Sequence, residues 1–260
     1  MGAPDSFVIA VAAALGLIFG SFGSVVAFRV PLRQSLGGRS RCPRCGHTIH
    51  AADNVPVVSY LLQRGRCRHC GDRISTRYPL VELTTAILFA LAAWKFGATA
   101  TTVVYAAFFW VLVVLSIIDL DHRKLLNRIV VPAFALGWAG LIAVTLLGGD
   151  LERLQDAVLG AAIFGGFIFA IAFIYPAGMG GGDVKLAFVL GTFLGYLDTP
   201  GVVVVGMFLS FLVGSVIGVA TILAGGGGRK TQVPFGPSLA LGTVIAIFAG
   251  RPLLDAYLRL

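Results

Sequence analysis

The sequence predicts an all-α integral membrane protein of about eight transmembrane helices, with a small polar loop domain between the first and second. Three observations carry this. Of 260 residues, 57% are hydrophobic and only 12% charged, where a soluble domain averages about 25% charged; mean hydropathy is +0.91. The apolar residues fall in long runs, most of them near the ~20 residues that a bilayer requires. The polar residues collect in one segment. Residues 1–28 then carry the first helix, 29–78 the loop domain and 79–260 a membrane-embedded bundle.

The first run is Phe7 to Phe28. Only Asp5 precedes it, and arginine follows it. It lacks the basic start of a cleaved signal peptide, so it is expected to stay as a span with the N-terminus outside. Of the 20 basic residues, 10 lie between Arg29 and Arg77. In a membrane protein this reads as a cytoplasmic loop rather than a nucleic-acid surface, and no nucleic-acid partner is expected.

That loop holds all four cysteines, paired as Cys42-Pro43-Arg44-Cys45 and Cys67-Arg68-His69-Cys70 with 21 residues between the pairs. The spacing fits a tetrahedral four-thiolate zinc site, structural because it leaves no open position. Two disulfides or four unrelated thiols are the alternatives, and a reducing cytoplasmic setting favours the metal. A loop of this size makes a poor core alone, and a metal compensates. Between the pairs, Asn54 to Leu62 is apolar but too short to span; it either packs on the metal core or lies against the membrane surface.

The second span is Pro79 to Trp94, with Glu82 near its inner end. Thr101 to Ile118 is the third, Ile129 to Leu147 the fourth and Ala157 to Tyr175 the fifth. Val184 to Leu197 is short, with Gly191 and Gly195 inside, and reads as a tilted or half-length helix, tolerated where buried in protein or lining a watery cavity. Val202 to Ala224 and the core Leu239 to Ala249 complete the count. With both termini outside, 16 of the 20 basic residues face inward and 4 outward, the asymmetry expected of a correctly oriented chain.

Two carboxylates sit against these apolar runs. Asp119 follows Ser116-Ile117-Ile118, and Asp183 follows Gly178-Met179-Gly180-Gly181-Gly182. A carboxylate at membrane depth costs about 2.5 kcal/mol or more, so a functional reading is the default. The charge count puts both at the same cytoplasmic end. Two such groups share a proton: the ionised one takes a proton from water while the protonated one polarises a peptide carbonyl. Gly180 and Gly182 carry no Cβ and would let an extended peptide approach Asp183. Asp121 reads instead as an interfacial residue solvated beside His122, Arg123 and Lys124. For Asp183 the competing reading is a helix cap. A proton- or ion-coupled transporter would also hold buried aspartates and broken helices, but no inverted repeat is visible; a receptor working through its cysteine knuckles is a further alternative.

The chain resembles the type IV prepilin peptidases, GxGD-type intramembrane aspartyl proteases. The likeness begins with Gly20-Ser21-Phe22, Val25-Val26 and Arg29-Val30-Pro31. It continues through Cys42 to His47, Asn54-Val55-Pro56, Ser59-Tyr60, Cys67 to Cys70 and Arg77 to Glu82. It ends with Ile118 to His122, Gly178 to Leu186 and Val233-Pro234-Phe235-Gly236-Pro237. The resemblance implies that Asp119, which opens Asp-x-Asp-His, and Asp183 are the catalytic pair. It implies cleavage of the basic leader of a prepilin or pseudopilin, whose hydrophobic helix lies in the bilayer, at the cytoplasmic face of the inner membrane. It also implies N-methylation of the new terminus from S-adenosylmethionine, an activity associated with the zinc-bearing loop. Glu82 is the candidate for the cofactor, holding a ribose or the attacking amine; pairing with Arg77 or a neighbouring arginine is the alternative. Where the family usually has Leu-Asn after Gly-Ser-Phe, this chain has Gly23-Ser24, a change that bears on methylation and not on proteolysis.

Overall fold

The computed structural model describes residues 6–148, 150–176, 179–198, 200–224 and 234–259. Among the described residues it is helical, with only two isolated β-bridges. The helices are α1 (Ser6–Arg29), the short α2 (Val58–Leu62), α3 (Arg77–Phe96), α4 (Ala100–His122), α5 (Asn127–Gly148), α6 (Glu152–Ile174), α7 (Gly181–Leu197), α8 (Pro200–Leu223) and α9 (Gly236–Leu258). Seven of them are long and apolar enough to cross a membrane; α2 and the 17-residue α7 are not among these. Gly178 and Val233 of the sequence motifs, and Arg229 and Lys230 of the charge count, lie outside the described residues.

The chain forms two compact units, Met1–Val114 and Leu115–Leu260. In the first, α1 packs along α3. Gly16 and Gly20 sit one helical turn apart, and a Cβ at either would lie 2.6 Å from the α3 backbone, at Ala86 and Glu82 respectively. Small residues at this spacing allow apolar helices to touch backbone to backbone, because lipid supplies no hydrophobic drive between them. Trp110 on α4 closes over α1: its Nε1 donates to the Phe19 carbonyl at 2.8 Å and its ring stacks on Phe22. A Cβ on Gly23 would sit 3.0 Å from that Nε1. A side chain as large as leucine at position 23 would displace the tryptophan, which gives the Gly23 departure a packing reason.

In the second unit α7 is the enclosed element. Leu186, Ala187 and every residue from Val189 to Tyr196 are buried, against α5, α6, α8 and α9. The glycines that suggested an interrupted helix serve a close crossing instead: a Cβ on Gly191 would lie 2.2 Å from the Gly160 carbonyl oxygen of α6. Tyr196 bonds Thr145 of α5 at 3.0 Å. Helix ends also differ from the sequence reading. Hydrogen bonding carries α4 past Ile118 to His122, so Asp119 is a helical residue, and α7 starts at Gly181, so Asp183 lies inside its first turn.

Candidate active site and metal centre

Asp119 is 5% exposed, in the last turns of α4. Its Oδ2 accepts a hydrogen bond from the backbone N–H of Gly236, 2.9 Å away at the start of α9. The first N–H groups of a helix lack partners within it, and together with the helix dipole they favour an anion. Glycine leaves the carboxylate its room here: a Cβ would lie 2.8 Å from Oδ2 and 3.3 Å from Cγ of Asp119, so the side chain would have to shift. The chain leaves α4 through Arg123, at φ 52°, whose N–H returns to the Asp119 carbonyl at 2.8 Å.

Asp183 sits in the first turn of α7, half-buried. Its Oδ2 accepts from the Gly180 N–H at 3.2 Å, so it helps to cap its own helix. Capping and a role in the site are therefore compatible. The Asp119 charge acts directly on Asp183. Leu125 lies against both motifs: a Cβ on Gly182 would be 2.8 Å from its Cβ, and one on Gly236 would be 3.4 Å from its Cδ2. Gly182 thus admits the turn after α4, while Gly180 is exposed beside the Asp183 carboxylate. Lys185 bonds Asn127 Oδ1 at 2.9 Å, tying the first turns of α7 and α5. Asp121 is exposed on the last turn of α4. Gly236, Leu125 and Asn127 carried no role in the sequence reading. Gly236 had a legible signal, a glycine followed by proline just before an apolar run, which marks a helix start.

In the first unit the two cysteine pairs fold as one pattern repeated 25 positions later. Cys42 N–H bonds the His47 carbonyl and Gly46 N–H the Cys42 carbonyl; Cys67 and Asp72, Gly71 and Cys67 do the same. Gly46 and Gly71 have φ of 70° and 71°, a conformation glycine adopts without steric cost. This Cys-x-x-Cys-Gly repeat was visible in the sequence and unread there. All four thiols are free and lie within 4.8 Å of one another, with Cys42 and Cys70 sulfurs 3.9 Å apart. Sulfurs tetrahedral about a metal at ~2.3 Å would be about 3.8 Å apart, so the four cysteines fit one metal ion. The N–H groups of Cys45 and Arg44 bring the Cys42 thiol down to about 7. The Asp72 N–H favours the Cys70 thiolate, but loss of water and the neighbouring sulfurs outweigh it and push that thiol up to about 12. Four sulfurs this close cannot all ionise without a cation among them.

Glu82 on α3 is 7% exposed. Its Oε2 accepts from the Val57 N–H at 2.8 Å, and the Ser21 hydroxyl also bonds it. Val57 has φ 59° and ψ −49°, and Val58 N–H bonds the Pro56 carbonyl at 2.6 Å. This is a strained γ-turn centred on a β-branched residue, a conformation that costs about 1–3 kcal/mol and persists only where the surroundings hold it. Beside it lies a cavity of about 730 Å³, lined by Ser21, Phe22, Arg39, His50, Asn54 and Pro56 among others.

Comparison with known proteins follows the same two blocks of sequence. Residues 14–96 match the bacterial Peptidase A24 N-terminal domain, and residues 106–223 match the type IV leader peptidase family. The chain is 34% identical over 246 residues to the prepilin leader peptidase/N-methyltransferase of Bacillus subtilis, covering 94% of this chain and 96% of that one. It is 36% identical over 275 residues to the protein of the same name from Pseudomonas aeruginosa, covering 94% and 91%. No solved structure matches it.

Proposed function

We propose that this chain, which belongs to the type IV leader peptidase family, is a bifunctional membrane enzyme: an aspartic endopeptidase that removes prepilin leaders, and an N-methyltransferase acting on the new terminus. The observation that carries the peptidase reading is Asp119, buried on α4 and held by the Gly236 N–H, with Leu125 packed against both Gly236 and the Gly182 that precedes Asp183. Gly236 occupies Oδ2 of Asp119 and leaves Oδ1 for chemistry. The ionised carboxylate takes a proton from water as the oxygen attacks the scissile carbonyl, and the protonated one hydrogen-bonds the carbonyl oxygen. The C–N bond then breaks and the leaving amine takes up a proton. The pair acts as one titrating unit, so no fixed acid or base is assigned. Gly180 is read as a place where the substrate backbone approaches Asp183, and Gly182 as the residue that lets the turn at Leu125 close behind it.

For the second activity, S-adenosylmethionine would supply the methyl group. The cavity beside Ser21 is within the ~300–1,000 Å³ of small-molecule sites, and Ser21, Arg39, Ser40, His50 and Asn54 are the polar residues in its lining that would hold it. Glu82, expected from the sequence to touch the cofactor, is read here as a positioning residue. Its carboxylate is occupied by Val57 and Ser21 and steadies the cavity wall at Asn54–Pro56. Zinc is the metal that best suits four cysteine sulfurs, and its role is to hold the loop of residues 29–78. The inward charge excess supports an inner-membrane protein with both termini outside and the aspartates at the cytoplasmic face.

The test is cleavage of a co-expressed prepilin, with the product's N-terminal mass measured. Asp119→Asn and Asp183→Asn each abolish cleavage, and Asp121→Asn does not. The wild-type product gains one methyl. Continued cleavage by both Asp119→Asn and Asp183→Asn would end the aspartyl reading.

A further inference from the structure

We propose that Arg64, Arg66 and Arg73 form a binding site for the phosphate headgroup of an anionic phospholipid, at the start of α3. The second knuckle sets Arg66 directly opposite Arg73 in an antiparallel bridge. Residues opposed in this way have Cβ atoms about 4.5–5.5 Å apart, and like charges there repel. The first knuckle has Arg41 opposite Thr48 at the equivalent place, with a single charge. Arg64, at φ 52°, brings a third guanidinium to the same concavity of about 330 Å³, walled by Tyr60, Ile74 and Thr76. None of the three arginines makes an ion pair among the described residues, and no carboxylate lines the concavity. Three guanidiniums without a counter-charge are complementary to a phosphate, whose oxygens match the planar N–H fork.

The surroundings select a lipid over a free phosphate. Thr76 is the residue before α3, whose apolar length suits a membrane span, so the concavity lies where that helix meets the headgroup region. Leu61 and Leu62 of α2, the element next to Arg64, are 67% and 79% exposed. Tyr78 and Leu80, in the first turn of α3, are exposed as well. Basic groups beside exposed leucines and an aromatic ring are the pattern of an element seated in the bilayer interface. A soluble phosphate would use the arginines and leave the apolar collar wet; a phospholipid uses both. This site is independent of the peptidase reading, since no residue of it belongs to the aspartate site.

The experiment titrates fluorescent short-chain phosphatidylglycerol into the full-length protein in neutral detergent, with phosphatidylcholine as the zwitterionic control. Arg64→Gln/Arg66→Gln/Arg73→Gln binds phosphatidylglycerol at least about tenfold more weakly than wild type. Arg73→Thr, which copies the Arg41–Thr48 pair of the first knuckle and so keeps the fold, weakens binding several-fold by itself. Arg41→Gln leaves it unchanged. Equal binding by wild type, Arg73→Thr and the triple variant overturns the proposal. So does displacement of the lipid by millimolar inorganic phosphate, which would make this a free-anion site. Arginine-dependent binding of a duplex oligonucleotide, with lipid binding independent of the arginines, would overturn it in favour of nucleic acid.

Discussion

Replacing Gly236 with alanine tests the backbone contact that anchors Asp119. The added Cβ would lie 2.8 Å from Asp119 Oδ2 and 3.3 Å from Cγ, with Leu125 Cδ2 at 3.4 Å on another side. The carboxylate must retreat by several tenths of an ångström, which lengthens and weakens the 2.9 Å bond from the Gly236 N–H. A hydrogen bond to a charged group is worth about 1.5–3 kcal/mol. If it holds Asp119 in the geometry of attack, its loss slows cleavage about 10- to 150-fold. The assay is single-turnover cleavage of a purified prepilin in detergent or nanodiscs. Methylation of an already cleaved substrate is measured alongside and stays near the wild-type rate, which separates a local effect from unfolding. Cleavage within about twofold of wild type would refute the claim that this N–H positions Asp119. Parallel loss of both activities would refute the claim that the contact is local.

Three further outcomes follow from other contacts. Glu82→Ala lowers methyl transfer at least about tenfold, the loss of a charged hydrogen bond to a strained turn, while Glu82→Gln restores much of it because its carbonyl oxygen still accepts from Val57; equal loss in both variants would argue that the charge itself is used, and cleavage is the internal control. Gly191→Ala destabilises by about 1–3 kcal/mol or more, since its Cβ meets backbone on α6, whereas Gly166→Ala on the open side of α6 is neutral or stabilising; equal thermal melts of the two variants in detergent would contradict the close crossing. Cys42→Ser, or chelation at falling pH, releases one metal ion per chain, because thiolates must be deprotonated to bind and acid competes for them; metal analysis of the purified protein identifies the ion and reads its loss, and methylation falls more than cleavage.

Much of this molecule was legible in the chain because its solvent is a bilayer. Apolar run length reports helices directly when every backbone group must be satisfied within its own segment. The four cysteines were legible because metal-ligand spacing is local: Cys42, Cys45, Cys67 and Cys70 need only two short turns to converge. Asp119 and Asp183 stood out because charge is rare in apolar sequence. Their helical placement did not, because side-chain composition marks where apolar sequence ends, and hydrogen bonds mark where the helix ends. So α4 runs on to His122 and α7 begins before Asp183.

Tertiary structure decided the rest, and the reason is distance along the chain. Gly236 lies 117 residues from Asp119, and its part in the site is a backbone N–H together with the room left by its missing Cβ. Nothing in side-chain identity announces such a contact; only the packing of the start of α9 against the end of α4 creates it. Likewise Gly191 and Gly195 read as marks of a tilted or half-length helix until Gly160 is brought against them, and Glu82 reads as a carboxylate for a cofactor or an arginine until Val57 closes over it. Residue chemistry lists the groups a protein owns. Which of them are occupied by one another, and which remain for a substrate, is set when the helices pack.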